Sequence, residues 1–214
     1  MMRDYQREFI EFALSHDVLQ FGEFELKSGR LSPYFFNTGL FDSGAALARL
    51  GEFYARAIVA SAVEFDMLFG PAYKGIPLGS SIAISFANGY NRDIPFCFNR
   101  KERKNHGEGG NTIGAPLSGR VLIVDDVISA GTSLTESMSI IDSAGATTVA
   151  LMISLDRQER GQDKLSAVDE AEQRHGIAVH SIVTVVNVVE FLTATGGQHR
   201  EIEAINRYRA RYSV

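Results

Sequence analysis

The run Val121 to Val124 places the tightest constraint on how this chain can fold. Four consecutive apolar residues, mostly β-branched, lack the alternation of a half-exposed strand, so the strand is expected to be covered on both faces, as in a parallel sheet. The chain leaves it through Asp125 and Asp126 into a small, hydroxyl-rich turn ending at Ser133, and Leu134 to Ala144 reads as a helix. Further strands are expected at Phe65 to Phe69, Ile94 to Phe98, Thr147 to Leu155 and Ala178 to Val186. Between and around them lie helical patterns: a first helix on Tyr5, Phe9, Phe12 and Ala13 capped by Asp4, one capped by Asp42 or Ser43 and buried through Leu47, Leu50, Tyr54 and Ile58, and others at about Pro77 to Ala87, Lys164 to His175, Val188 to Thr193 and Arg200 to Tyr212. Such alternation with short connections predicts an α/β fold with a mainly parallel central sheet flanked by helices. At 214 residues one domain is expected, spanning the whole chain.

The turn after Asp126 has a definite chemical character. Free backbone N–H groups, hydroxyls and a helix dipole favour an anion, so Ser129 to Ser133 reads as a phosphate cup. Carboxylates lining that cup would repel phosphate, so Asp125 and Asp126 are expected to face an uncharged part of the ligand such as sugar hydroxyls. The ligand class is then a sugar phosphate. Phe65 to Phe69 leads into a second turn, Gly70 to Gly75, which carries Lys74 where an anion would bind. Alone it reads better as an inert glycine-bounded turn, but two such turns at the carboxyl ends of neighbouring strands match where open α/β sheets bind ligands.

Other candidates carry two readings each. Arg157, at the end of a strand, offers a planar fork suited to a carboxylate, or is a surface arginine paired with Asp156 or Glu159. From Val18 to Asn37 short strands surround a tight turn at Ser28 and Gly29, with Lys27 just before it. Phe35 and Phe36 point to opposite strand faces, so one is expected in the core while the other covers a flat ligand or packs as well. Arg100 to Ser118 has four glycines and no apolar period, and is expected to be the least structured part of the chain. Arg100, Lys101, Arg103 and Lys104 put four cations in five positions, with His106 behind them. A flexible lid over pyrophosphate uses such a cluster, whereas a solvated loop does not need it.

Composition excludes several classes. A net charge of -5 argues against a broad nucleic-acid face. Cys97 is the only cysteine, which precludes an internal disulfide and suggests a reducing, cytoplasmic setting; its apolar surroundings suggest a core thiol. The N-terminal helix carries acids and no apolar run reaches about 18 residues, so neither export nor a membrane is expected. There is no metal-ligand cluster, and neither GxGxxG nor GxxxxGK[ST] occurs, which argues against a nucleoside triphosphatase.

The string VLIVDDVISAGT resembles the phosphoribosyl pyrophosphate signature of the type I phosphoribosyltransferases. LKSGRLSPYFFN, GPAYKGIP, CFNRKERKNHGEGG and SLDRQERG resemble, in order, blocks of the bacterial orotate phosphoribosyltransferase family. The resemblance extends from the first helix nearly to the C-terminus, and the lid block is its most specific part. It implies the type I phosphoribosyltransferase fold, with an N-terminal hood over about residues 1–40 and a mobile catalytic loop over 100–118. It further implies magnesium-dependent transfer from phosphoribosyl pyrophosphate to orotate by a homodimer whose lid reaches the partner's site. By position, Asp125 and Asp126 would face the ribose and Ser129, Ala130, Gly131, Thr132 and Ser133 the 5-phosphate, with Val127 and Ile128 also in the substrate site. Tyr73 and Lys74 would meet pyrophosphate, Phe35 and Phe36 wall the orotate, and Arg157 hold its carboxylate. Lys27 would act near the reacting centre, and Arg100, Lys101, Lys104 and His106 belong to the lid. Magnesium would ride on substrate oxygens and water rather than on a carboxylate cage. Ser129 stands where the family usually has threonine, and Arg103 and Asn105 are departures in the lid, of which Arg103 makes it unusually basic. A phosphoribosyltransferase for another base and a non-catalytic sensor of phosphoribosyl pyrophosphate are the rival readings.

Overall fold

Arg120–Val124 forms strand β6 inside a six-stranded sheet, and Val121 to Val124 are essentially inaccessible to solvent. The computed structural model describes residues 2–26, 28–104, 110–128, 131–161, 164–196 and 198–213. The sheet runs β5 (Gly110–Gly114), β4 (Phe96–Lys104), β3 (Met67–Gly70), β6, β7 (Thr147–Asp156), β8 (Ala178–Thr184), and every pairing is parallel except β4 with β5. Alternation explains why β6 must be central. Leu122 and Val124 point into one core with Leu68, Ala150 and Met152, while Val121 and Ile123 point into another with Phe69, Leu151 and Ile153. Each such side chain contributes about 1.5–3 kcal/mol by leaving water, which an edge or one-sided strand would forfeit.

Helices α2 (Gly44–Ser61) and α3 (Gly75–Tyr90) bury their apolar residues in the first core, and α4 (Thr132–Ser143) and α5 (Ala167–His175) in the second. Helices α1 (Asp4–Ser15), α6 (Val185–Thr195) and α7 (His199–Tyr212) extend the first core through Phe9, Leu192 and Ile205. The antiparallel hairpin of β1 (Leu19–Glu25) and β2 (Leu31–Phe36) forms its own small sheet and packs on that core through Tyr34 and Phe36. β3 and β6 are neighbours, yet the helices that follow them lie on opposite faces. A crevice therefore opens at the carboxyl ends of these two strands, where the strand order reverses.

Several boundaries differ from expectation for local reasons. Asp4 is the first helical residue rather than the cap; the Arg3 N–H is held by Gln6 Oε1 at 2.9 Å. Ser43, not Asp42, caps α2, accepting from the Ala46 N–H. α3 begins at Gly75, because Pro77 falls in its first turn, where the N–H it lacks would have no partner. α5 begins only after Ser166, whose Oγ accepts from the Asp169 N–H at 3.0 Å. β8 stops at Thr184, which caps α6 reciprocally with Asn187. Cys97 is a core residue, and burial pushes its thiol pKa up.

The largest correction concerns 100–118. β4 continues through the basic cluster to Lys104, and β5 returns antiparallel, with Asn99 opposite Thr112 and Lys104 opposite Gly110. Two arms running out from a sheet edge hydrogen-bond to each other without needing an apolar pattern, so periodicity missed them. Residues 105–109 lie outside the described residues.

Candidate active site

Three turns leave the sheet side by side, after β3, β6 and β7, and bring the candidate residues together. In the first, glycine is obligatory: a Cβ on Gly70 would lie 2.0 Å from the Gly75 carbonyl oxygen, and one on Gly75 would lie 2.6 Å from Pro71 Cδ. That close approach folds 71–74 back against the sheet end. The Ala72–Tyr73 peptide is cis, and the Ala72 N–H donates to Asn99 Oδ1 at 2.7 Å. Tyr73 is left exposed, and Lys74 reaches across to the next turn. Its ammonium donates to Asp126 Oδ2 at 2.6 Å and to Asn37 Oδ1 at 3.4 Å.

Both aspartates after β6 are fixed by their backbones. Tyr54 Oη donates to the Asp125 carbonyl at 2.8 Å, and the Ser154 N–H donates to the Asp126 carbonyl at 2.9 Å. Asp126 is buried; its Oδ2 also accepts from Thr38 Oγ1 at 3.1 Å, and its Oδ1 from the Val127 N–H at 2.8 Å. Asp125 accepts from the Asp126 N–H at 2.9 Å and from Ser133 Oγ at 3.2 Å. Burial, and then the neighbouring Asp126 charge, push the Asp125 pKa up to about 6.

Beyond them Gly131, at φ 72°, caps α4, and Thr132 and Ser133 open the helix. A cavity of about 290 Å³ lies there, lined among others by Lys101, Asp125, Val127, Gly131, Ser133 and Glu136. An anion in it would meet the helix N-terminus, and the hollow takes in Gly131, Thr132 and Ser133 of the expected cup. Lys101 Nζ is 3.7 Å from Glu136 Oε2, which puts this lid cation over the cup of its own chain. Val127 and Ile128 pack toward opposite cores. Arg100 is half-buried, and its Nε has no partner among the described residues.

The third turn holds Arg157, which is not the surface arginine of the alternative reading. Its guanidinium lies 4.2 Å from the Tyr34 ring centroid; Nε donates to Glu159 Oε1 at 2.7 Å and Nη2 to Ser32 Oγ at 3.0 Å. The pairing with Glu159 is real, but it is buried. Phe35 and Phe36 occupy opposite faces of β2: Phe36 packs into the core near Phe9, while Phe35 is exposed and stacked on Phe24 at 5.4 Å. The pair therefore does not form one continuous wall. Lys27, His106, Ser129 and Ala130 lie outside the described residues, and the side chains of Arg103 and Lys104 do too.

Sequence reasoning gave no role to Asn37, Thr38, Asn99, Ser32, Tyr34 and Tyr208, and named Glu159 only as a surface partner of Arg157. Lying inside a quoted block does not by itself say what a polar residue does, and burial of Ser32, Thr38 and Asn99 is visible only in the fold. Among the described residues no three acids, histidines or cysteines gather as a metal cage, and no helix is long and apolar enough to cross a membrane.

Residues 40–187 match the model of the phosphoribosyl transferase domain. The chain is 57% identical over 213 residues to orotate phosphoribosyltransferase of Pseudomonas aeruginosa, covering 100% of both. It is 60% identical over 212 residues to that of Nitrosospira multiformis, covering 99% of this chain and 92% of the relative. The crystal structure of orotate phosphoribosyltransferase from Francisella tularensis superposes with a TM-score of 0.87 at 42% identity, covering 97% of this chain and 100% of that one. The chain belongs to the phosphoribosyltransferase family and, within it, to the orotate phosphoribosyltransferases.

Proposed function

We propose that the protein transfers the phosphoribosyl group of phosphoribosyl pyrophosphate to orotate, releasing pyrophosphate and giving orotidine 5′-phosphate for pyrimidine nucleotide synthesis. The observation that carries this reading is the hollow at Gly131 to Ser133 set beside the Asp125 and Asp126 carboxylates and a Lys74 turn, with Arg157 one strand further along. Four kinds of anchor thus suit one ligand pair: 5-phosphate, ribose diol, pyrophosphate and carboxylate.

In the reaction the bond from the anomeric carbon to pyrophosphate breaks and a bond to a ring nitrogen of orotate forms. Negative charge builds on the leaving oxygens and positive charge on the sugar. Lys74 and the lid cations Arg100, Lys101, Lys104 and His106 would stabilise the first, and Asp125 and Asp126 the second. Lys27 would sit near the reacting centre, Tyr73 beside the pyrophosphate, and Phe35 over the base. Lys74 must exchange Asp126 for pyrophosphate, so binding and repositioning of Asp126 are coupled.

Magnesium would be carried by substrate oxygens and water and would neutralise the leaving group. The two carboxylates of Asp125 and Asp126 suit a cation that keeps most of its water. The active form would be a cytoplasmic homodimer, with the 100–118 lid extending past Lys101 to reach the partner's site and residues 1–40 forming a hood. Purified protein assayed with orotate, uracil, adenine and hypoxanthine, with magnesium and after chelation, tests the reading. Pyrophosphate release with orotate alone, abolished by chelator, is expected; release only with another base, or tight binding without turnover, would overturn it.

A further inference from the structure

Arg157 is held by a buried carboxylate to which the family reading gives no role. Glu159 sits two residues on, in the same turn, and four donors converge on it. Oε1 accepts from Arg157 Nε at 2.7 Å and from Tyr34 Oη at 3.2 Å. Oε2 accepts from Tyr208 Oη of α7 at 3.1 Å and lies 3.6 Å from Arg30 Nη1. Its side chain is only 12% exposed and that of Arg157 only 17%. Backbone contacts lock the same place: Arg30 Nη1 donates to the Arg160 carbonyl at 3.0 Å, and the Arg160 N–H donates to the Tyr212 carbonyl at 2.8 Å.

A long guanidinium next to a binding site has several rotamers, and a ligand that fixes it must repay that freedom. Here Glu159 and Ser32 take Nε and Nη2, while Tyr34 lies under the plane. With Tyr208 also hydrogen-bonded to the guanidinium, the plane of the fork is held in a fixed direction. Arg30 adds a second link, since its carbonyl accepts from the Leu26 N–H at 2.9 Å and so ties the end of β1 to the start of β2.

We propose that Glu159 is the positioning residue of the base site: it orients Arg157 toward the substrate carboxylate and ties Arg30 and α7 to that orientation. The proposal rests on Arg157 being the orotate clamp. It requires that Glu159 act mainly on recognition of the carboxylate, not on phosphoribosyl pyrophosphate or on folding.

Steady-state kinetics of Glu159→Gln, varying orotate and phosphoribosyl pyrophosphate separately, test it. Loss of the charge-assisted bond should raise KM for orotate about tenfold, with kcat and the other KM changed less than about twofold. A purely structural role would lower the active fraction and kcat while leaving both KM values in place, and that result overturns the proposal. So does an unchanged or lower orotate KM, which would mean that Glu159 only masks the Arg157 charge. Glu159→Asp should restore part of the orotate KM. If the Gln variant does not fold, Tyr208→Phe decides, since it loosens Oε2 and keeps the charge: orotate KM should rise about threefold, and no rise refutes the role. Wild-type protein that turns over no orotate would instead remove the functional reading beneath the proposal.

Discussion

Lys74 Nζ lies 2.6 Å from Asp126 Oδ2, so a cation after β3 and a carboxylate after β6 hold each other across the crevice between neighbouring strands. Asp126 is nearly buried while Lys74 is half exposed, so the lysine is the partner free to move. Any anion that draws Lys74 away also releases one oxygen of Asp126 toward a ligand hydroxyl. Thr38 then remains as its donor, at 3.1 Å.

Lys74→Ala should therefore lower kcat/KM for phosphoribosyl pyrophosphate by about 10²–10³-fold, the usual loss when one donor to a developing anion is removed. Steady-state rates at varied phosphoribosyl pyrophosphate and fixed orotate measure it. A loss of less than about fivefold would mean that Lys74 serves only to neutralise Asp126.

Asp125 makes stability depend on pH in the direction opposite to an ion-paired carboxylate. Its native pKa is raised from 3.8 to about 6, so between those values the native state binds more protons than the unfolded chain. Stability then falls as pH rises from about 4 to 6, and the cost, of order 3 kcal/mol, is fully present above pH 6. Asp125→Asn should unfold at higher urea than wild type at pH 7, with the gap closing by about pH 4, while turnover drops. A variant less stable than wild type at pH 7 would show that the Ser133 bond outweighs burial.

These two carboxylates were legible in the sequence, because they follow an unbroken apolar strand and precede a glycine and hydroxyl turn. So were the sheet, the Lys74 turn and the split of Phe35 from Phe36, each set by a local period or a breaker. The lid arms were not, since the β4 and β5 residues bond to each other beyond the sheet's covered faces and no apolar alternation marks them. Nor was the cluster around Arg157: Ser32 and Tyr34 stand 125 residues from Arg157 and Glu159, and Tyr208 stands 49 from Glu159. Contacts at that separation come from how the hairpin, the sheet and α7 dock, which local patterning does not encode.

Gly70→Ala tests whether the first turn is set by backbone approach. The new Cβ would overlap the Gly75 carbonyl, which cannot move without shifting the start of α3. Destabilisation of about 1–3 kcal/mol is expected, with a large loss of activity because Lys74 is the residue preceding that helix. Gly89→Ala, in the same helix with nothing within 4 Å of its Cβ, should stabilise by up to about 1 kcal/mol. Thermal unfolding of both compares them; equal effects would remove the packing argument.

Lys101 and Glu136 separate charge used for structure from charge used for catalysis. They stand 3.7 Å apart and are each about half exposed, so their pairing contributes little to stability. Glu136 nevertheless lines the cup proposed to receive phosphate, where its charge would oppose the ligand. Glu136→Gln should leave the melting temperature unchanged and lower KM for phosphoribosyl pyrophosphate about two- to threefold, an effect that fades with added salt. Lys101→Ala, and Lys104→Ala further along β4, should cut kcat by at least about tenfold with smaller changes in KM, because a lid cation acts on charge that develops in the transition state. If Lys101→Ala and Glu136→Gln both raise KM and spare kcat, the β4 arm is a binding strap and the catalytic cations must be sought elsewhere.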